Sequence, residues 1–558
     1  MKIHSERICR ISFLTLFLLI FCVGYTQIRN KNFEIGKNLE IFVDVFKQVN
    51  ANYVDDIDPG DFMKKGIEDL LKTLDPYTNY ISESDVEDFR IATTGQYGGI
   101  GALIHSDGEY IIITDPYKNS PAKRAGIKSG DIVLSVNGKS SVGLSSDEIS
   151  QLMKGAVGGK VDLEIKRYGE EKPLSFSMIR EVINIESVDY FEKLSQDIGY
   201  VKLDGFTPNS ASKVRDAITS MRNEGKLKGL ILDLRDNGGG LLGEAVDIVN
   251  LFVKSGQEVV SMRGQISSAN QMFKTRNQPL DTDIPLVVLV NEQSASASEI
   301  VSGALQDLDR AVIIGQRTYG KGLVQNVLPL IYHAQLKVTI AKYYIPSGRC
   351  IQAIDYSHKN ESGKWDKIPD SLITKFHTLG GRPVYDGAGI DPDIATTPYL
   401  LNDITTALVS QYILFNFATL FYYQNSTTPS LETFEIDDAI WNQFLAWVNE
   451  HENNYKTAEQ ILLTGLEDYY KENKNTPTPQ IKTTMETLHK QLKENKIDAI
   501  KENKNEICRL LKLEILSRYY DYDQYIKFYV EFDSDIQKAK SLLLSDKEYK
   551  AVLKQVGK

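Results

Sequence analysis

At 558 residues the chain is too long for one hydrophobic core, and its length predicts about three or four domains. Hydrophobic residues make up 42% and charged residues 25%, the balance of a folded globular protein rather than a disordered one. A net charge of −11 argues against a nucleic-acid partner, because phosphate binding needs a basic face.

The first residues read as an export signal. Lys2, Arg7 and Arg10 precede an uncharged apolar run from Ile11 to Val23, and Cys22 and Gly24 are small residues at the spacing of a cleavage site after Gly24. The run falls short of the roughly 20 apolar residues of a spanning helix. An uncleaved membrane anchor is the alternative, and bulky Ile20 and Phe21 argue against a lipid-modified Cys22. Either way the chain is expected to be exported, in the periplasm or anchored facing it. Of the four cysteines, Cys9 and Cys22 lie in this segment. Cys350 and Cys508 are far apart and make neither a disulfide framework nor a CxxC metal spacing.

Residues 33 to 72 read as helical, with Phe33, Ile35, Leu39, Phe42, Val43, Phe46 and Val49 on a helical repeat. A second pattern, Phe62 to Leu71, follows the turn Asp58-Pro59-Gly60, and Pro76 in LDPYTNY stops it. From Tyr97 the texture becomes β-rich. Gly98, Gly99 and Gly101 surround an apolar strand, Ile100 to Ile104, and Tyr110 to Thr114 follows the turn Asp107-Gly108. Glycines 126, 130 and 138 punctuate short apolar runs, as tight turns require. Ser145 to Lys154 reads as a capped helix, and Val161 to Lys166 and Leu174 to Ile179 as strands. From Ile198 strands and helices alternate in an α/β pattern. After about Tyr399 long polar helices with aromatic stripes follow, with TPTPQ at 476–480 as a linker; the stripes read as core.

Three segments carry chemistry. In NEQSASASEIVSGAL, residues 291 to 305, a buried strand runs into Ser294, Ser296 and Ser298 and then a helix. Ser296 and Glu299 spell a capping box, an ordinary helix start. The same place offers free N–H groups and a positive helix end to a developing oxyanion. A serine nucleophile needs a base, and the nearest histidines, His333 and His358, have no motif around them. Lys321, between Gly320 and Gly322, is the better candidate. It must be neutral to act, and lowering a lysine pKa from about 10.4 to the 7–8 range corresponds to roughly 3–5 kcal/mol of destabilised ammonium, which apolar burial can supply. Gln325, four residues on, shares a face with it in a strand or a helix and can orient the amine. In GLILDLRDNGGGLLGEA, residues 229 to 245, a strand ends in Asp233, Arg235 and Asn237. The N–H groups of Gly238 and Gly239, with that of Ala297, can form an oxyanion hole.

These pieces occur in order with LDPYTNY, the YGGIGALI-to-VNG segment, AKYYIPSGR (341–349) and GAGIDPDI (387–394). The set resembles the carboxyl-terminal processing, or tail-specific, serine proteases. The resemblance implies a multidomain α/β protein. Its expected parts are a signal peptide or anchor at 1–24, an N-terminal helical region at 25–96, a PDZ domain at 97–182, a crotonase/ClpP-like protease core at 183–398 and a helical domain at 399–558. It implies that Ser296 is the nucleophile, Lys321 the general base and Gln325 its orienter; local physics alone leaves Ser294, Ser296 and Ser298 undecided. It also implies that the PDZ domain binds protein or peptide tails and gates the site. Backbone N–H groups of Gly98, Gly99, Ile100 and Gly101 would take an apolar tail's terminal carboxylate, with the peptide added as a strand. No cofactor or metal is expected.

Rival readings exist. Gly238, Gly240 and Gly243 spell G-x-G-x-x-G, but charged residues separate the strand from the first glycine. Gly315 to Lys321 spells G-x-x-x-x-G-K, but Gly322 stands where a phosphate loop needs Ser or Thr. His451-Glu452 lacks the second histidine of HExxH. The stronger rival is a catalytically inactive PDZ protein that binds peptides or apolar ligands, against which the intact Ser296, Lys321 and Gln325 argue. Residues 399–558 are open to a capping role, a homo-oligomer interface or an adaptor site.

Overall fold

The computed structural model describes residues 31–554 apart from 361, 426 and 474; the export segment read at 1–24, with Cys9 and Cys22, lies outside them. The described chain forms two compact units. The smaller takes the residues up to Glu83 together with Val327–Val338, and the larger takes Ser84–Asn326 and Thr339 onward.

In the smaller unit a helix covers residues 31–52 and a second covers Pro59–Leu71. The second starts at Pro59 because Pro fits the first helical position and the Asp58 carboxylate accepts the Asp61 N–H. Asp75 of LDPYTNY accepts the N–H groups of Tyr77 and Thr78, which folds the chain into Asn79–Ile81, antiparallel to Gln335–Lys337. The apolar repeat of the first helix is not a core face. Phe33 is 66% and Leu39 59% exposed, and only Phe46 and Val49 of the seven are partly covered.

The larger unit opens with the small β domain expected at 97–182. Its sheet runs in the order Ala102–Ser106, Ile111–Pro116, Ile132–Val136, Lys160–Lys166 and Leu174–Ile179. Lys160–Lys166 alternates buried and exposed residues strictly, as a one-faced sheet demands. The helix Ser146–Met153 closes the buried face with Ile149 and Met153, and starts at a Ser145/Glu148 capping box. Gln96–Gly99 pairs antiparallel with Glu181–Asn184, so the chain enters and leaves the domain through one short ladder.

The α/β region expected at 183–398 is built on a six-stranded sheet: Tyr190–Leu194, Ile198–Lys202, Gly229–Asp233, Leu286–Val290, Val312–Gly315 and Ile394–Ala395. All neighbours are parallel except the first pair. Gly229–Asp233 and Leu286–Val290 are buried at every residue, so both sheet faces must be covered. One face carries the helices Ser210–Asn223, Leu242–Phe252 and Ala297–Asp307. The other is covered by the end of the chain: Ile536, Ala539, Leu542, Leu543 and Tyr549 pack on Tyr200, Ile231, Val287 and Leu289.

Within the helical region expected at 399–558, helices between Asp403 and Leu516 build a core around Phe417, Phe444 and Ile507, and the helices Ser534–Leu544 and Asp546–Leu553 pack on the six-stranded sheet. The expected linker at 476–480 is shorter than read, because Pro479 already opens the helix Pro479–Glu502 under a Thr478 cap. Among the described residues no single helix is long and apolar enough to cross a membrane.

Candidate active site

The strand Leu286–Val290 ends at a tight turn, residues 291–296, that feeds the helix Ala297–Asp307. The three serines of this turn have different fates. The Ser294 hydroxyl donates to the Leu234 carbonyl at 2.8 Å, and the Ser298 hydroxyl to the Asn237 carbonyl at 2.8 Å; both residues are fully buried. Ser296 is partly exposed, at φ 56° and ψ −110°, a conformation a side-chain-bearing residue adopts only when its surroundings hold it there. With Glu299 it keeps the outline of a capping box, but the Glu299 N–H meets the Ser296 carbonyl at 2.9 Å and the Ser296 side chain makes no cap hydrogen bond.

Glu299 is fully buried and gathers the site. Its Oε2 accepts the N–H of Ser296 and the N–H of Lys321, each at 2.9 Å. Its Oε1 accepts the Gly320 N–H at 2.7 Å and the Thr318 hydroxyl at 2.6 Å. The main chains of Ser296 and Lys321 are thus no more than two hydrogen bonds apart. Burial pushes the Glu299 carboxyl above its ordinary range, and the four donors pull it back only in part. Tyr343 adds a second bridge. Its hydroxyl lies 2.5 Å from the Lys321 carbonyl and 3.2 Å from the Ser296 carbonyl. The Tyr319 N–H donates to the Ser294 carbonyl at 3.1 Å, tying the lysine loop to the serine turn once more.

Gln325 stands in the strand Leu323–Pro329, which begins just after Lys321. Its Nε2 donates to Thr339 Oγ1 on the neighbouring strand at 3.1 Å.

The glycine turn lies against the serine. A Cβ on Gly239 would sit 2.8 Å from the Ser296 Cβ and 3.0 Å from the Ala297 nitrogen, and φ there is +103°, so only glycine fits. Asn237 locks the turn from below. Its Nδ2 donates to the Leu203 carbonyl, its Oδ1 accepts the Gly239 N–H at 2.9 Å, and its carbonyl accepts the Ala295 N–H. The expected set of three oxyanion donors is accordingly narrowed: the Gly239 N–H is taken. Among the described residues the N–H groups of Gly238 and Ala297 have no hydrogen-bond partner; Ala297 follows Ser296 directly, and Gly238 precedes the Gly239 that packs against Ser296.

In the PDZ domain, Gly98 and Gly99 are ladder residues opposite Val182 and Glu181. The carbonyls of Ile100 and Gly101 accept from Ala122 and Tyr117, while their N–H groups have no partner among the described residues. Of the two thiols, Cys350 and Cys508 are both reduced, and burial raises each above its ordinary range. Among the described residues no cluster of His, Cys, Asp and Glu is placed to hold a metal.

Three family models match the chain: peptidase family S41 at residues 197–357, a PDZ domain at 112–167, and the probable PDZ-protease C-terminal helical domain at 404–543. A carboxy-terminal-processing protease of Bartonella bacilliformis is 36% identical over 345 residues, which span 61% of this chain and 78% of that protein. The chain belongs to the carboxy-terminal-processing serine peptidases of family S41. A probable CtpA-like serine protease of Staphylococcus aureus is 35% identical over 362 residues, 63% of this chain and 71% of the relative. Among solved structures, the photosystem II D1 C-terminal processing protease is similar at 26% identity over 65% of this chain and 93% of that one, with a TM-score of 0.35.

Each motif of this S41 peptidase has a mechanical task that its letters do not spell out. Glu299 reads as a cap residue, yet it joins the two motifs that hold Ser296 and Lys321. Tyr343 of AKYYIPSGR supplies the second bridge. Arg349 of the same motif is buried against Asp307 at 2.9 Å, anchoring the far end of the serine helix. Ile390 of GAGIDPDI donates its N–H to Thr318 at 2.7 Å, which aims the Thr318 hydroxyl at Glu299.

Proposed function

We propose that this peptidase is an endopeptidase with a Ser296/Lys321 dyad, acting on exported proteins or peptides whose apolar C-terminal tails the PDZ domain recognises. The observation that carries the reading is the Glu299 carboxylate shared by the main chains of Ser296 and Lys321, beside a serine hydroxyl that its own helix does not use. In this reading Lys321, as the neutral amine, takes the proton of Ser296 Oγ while Oγ bonds to the scissile carbonyl carbon. The carbonyl oxygen becomes an oxyanion, which the N–H groups of Gly238 and Ala297 receive at the positive end of the helix Ala297–Asp307. Collapse breaks the C–N bond, and the Lys321 ammonium returns its proton to the leaving amine. Water, deprotonated by the same amine, then bonds to the acyl carbon; the C–Oγ bond breaks, and the Lys321 ammonium returns the proton to Ser296 Oγ. Gln325, held by Thr339, orients the lysine.

For tail recognition, the N–H groups of Ile100 and Gly101 take the terminal carboxylate, and the peptide adds as a strand along Ala102–Ser106, which is an edge of the PDZ sheet. The basic start and apolar run of residues 2–23 support export to the periplasm, or anchorage facing it.

The test is cleavage of an unstructured peptide with an apolar C-terminus. Ser296→Ala should lose about 10⁴-fold or more in kcat, and Lys321→Ala about 10²–10⁴-fold. Wild-type activity should fall as pH drops, because protonation removes the base. Wild-type cleavage no faster than that of Ser296→Ala would instead mark an inactive binding protein.

A further inference from the structure

The turn that presents Gly238 begins at a guanidinium, and the far end of the chain helps to hold it. Arg235 Nη1 donates to Asp533 at 2.9 and 3.1 Å, and to Asp535 Oδ2 at 3.4 Å. Its Nη2 donates to Asp233 Oδ2 at 2.6 Å, and its own N–H to Asp233 Oδ1 at 3.0 Å. All four side chains are at least 86% buried. Asp533 is fixed in turn, because it caps the helix Ser534–Leu544 by accepting the N–H groups of Asp535 and Ile536.

Three buried carboxylates face one guanidinium, which is costly to desolvate; at Asp233 burial is more than offset by the charges of Arg235 and Lys202, which hold the carboxyl below its ordinary range. Asp535 Oδ1 is buried with no hydrogen-bond partner among the described residues, a further cost. The cluster's location gives it a use. Downstream, Asp236 is held at φ 63° by Asn291, and Asn237 is locked as described above. Arg235 is therefore the first of three successive anchors of the turn that ends at Gly238 and Gly239.

We propose that Asp533 and Asp535 are positioning residues for the oxyanion turn: acting through Arg235, they set where the Gly238 N–H points, so the C-terminal segment is a working part of the protease. The inference rests on Gly238 being an oxyanion donor. Asp533→Asn keeps the helix cap, since Asn caps as well as Asp, and removes the charge facing Arg235. Asp535→Asn removes the second charge and touches no cap.

In the full chain, the experiment measures kcat and KM on the apolar-tailed peptide, the thermal midpoint, and inhibition by a peptidyl boronate, whose tetrahedral adduct places an oxygen at the oxyanion position. In the double Asn variant kcat should fall about 10-fold or more, boronate inhibition should weaken by a similar factor, and KM should stay within about 2-fold. If the double variant does not accumulate as folded protein, Asp535→Asn alone carries the same expected results. Unchanged kcat and boronate inhibition in an active enzyme overturn this inference and leave the dyad standing. A kcat lost only in step with the thermal midpoint, with boronate inhibition intact, overturns it as well, because that is the mark of a purely structural contact. A wild type without Ser296-dependent cleavage removes the oxyanion reading itself and this inference with it.

Discussion

Three hydroxyls within five residues differ in what they are bound to, and that difference separates scaffold from chemistry. Ser294 and Ser298 donate to the buried carbonyls of Leu234 and Asn237 and so staple the serine turn to the glycine turn. Replacing either by Ala removes a buried hydrogen bond, while the Leu234 and Asn237 carbonyls keep the N–H groups of Asn237 and Ala295 as donors; the loss is about 0.5–1.5 kcal/mol, which a denaturation midpoint will report. Both variants should keep most of their kcat per folded molecule. Glu299 is different again. Burial raises its folded pKa above the unfolded value, so its contribution favours folding most at low pH and is lost as pH rises through the folded pKa. Its use is to accept four donors from two loops. Glu299→Gln places an amide N–H where a donor already points, and kcat should fall about 10-fold or more through misplacement of Ser296 against Lys321. Unfolding of the variant should also lack the part of the wild-type pH dependence that Glu299 supplies. A variant with wild-type kcat would assign the carboxylate to packing alone.

Among elements, the final two helices decide whether the core sheet has a second face. Leu543 rests on Gly229, where even a Cβ would come within 3.0 Å of it, and the Tyr549 hydroxyl bridges the N–H and carbonyl of Leu286 at 2.9 and 3.1 Å. Leu543→Ala leaves a cavity against the sheet and should destabilise the protease core by about 2–5 kcal/mol in chemical denaturation. Little of this could be read ahead of the fold. LVVLV at 286–290 announces a strand buried on both faces, but nothing local names the cover, which lies some 250 residues downstream. Conversely, the repeat Phe33 to Val49 announces a helix face, yet periodicity marks a face and not what covers it. The chemistry was more legible, because Ser296, Lys321 and the glycine turn each carry unusual letters in a fixed order. Glu299 was hidden because a glutamate three residues into a helix is an ordinary cap. The occupied Gly239 N–H was hidden because it depends on where one asparagine side chain turns.

At the scale of the molecule, the PDZ domain is docked on the helical domain, and the contact contains a titratable ring. His105, on the edge strand Ala102–Ser106, stacks on Tyr412 with ring centroids 3.5 Å apart. Tyr412 sits at φ 59° in the break between Asp403–Ser410 and Ile413–Gln424, where the chain bends by 60°. Nearby, Gly130 meets Thr419 so closely that a Cβ would lie 2.4 Å from it, and Lys128 donates to the Tyr422 hydroxyl at 3.2 Å. The ion pairs of Lys118 and Lys123 with Asp521 and Asp523 are exposed and contribute little, about 0–1 kcal/mol each. Packing therefore dominates the contact, and an aromatic pair adds about 0.5–1.5 kcal/mol. Burial lowers the His105 pKa below 6.5, with only a partial opposing pull from Asp107. The folded state thus prefers the neutral ring, and the unfolded or undocked state binds more protons between the two pKa values. Its contribution is present above pH ~6.5 and is lost as pH falls through the folded pKa. Hydrogen exchange at Ala102–Ser106 and around Tyr412 should accordingly quicken as pH is lowered past this range, after correction for intrinsic rates. In His105→Phe, which stacks without titrating, the change should disappear. An equal pH response in the variant would place the titrating group elsewhere, with Asp115 the next to examine, since burial raises it at the same interface against the pull of Lys123 and Arg518.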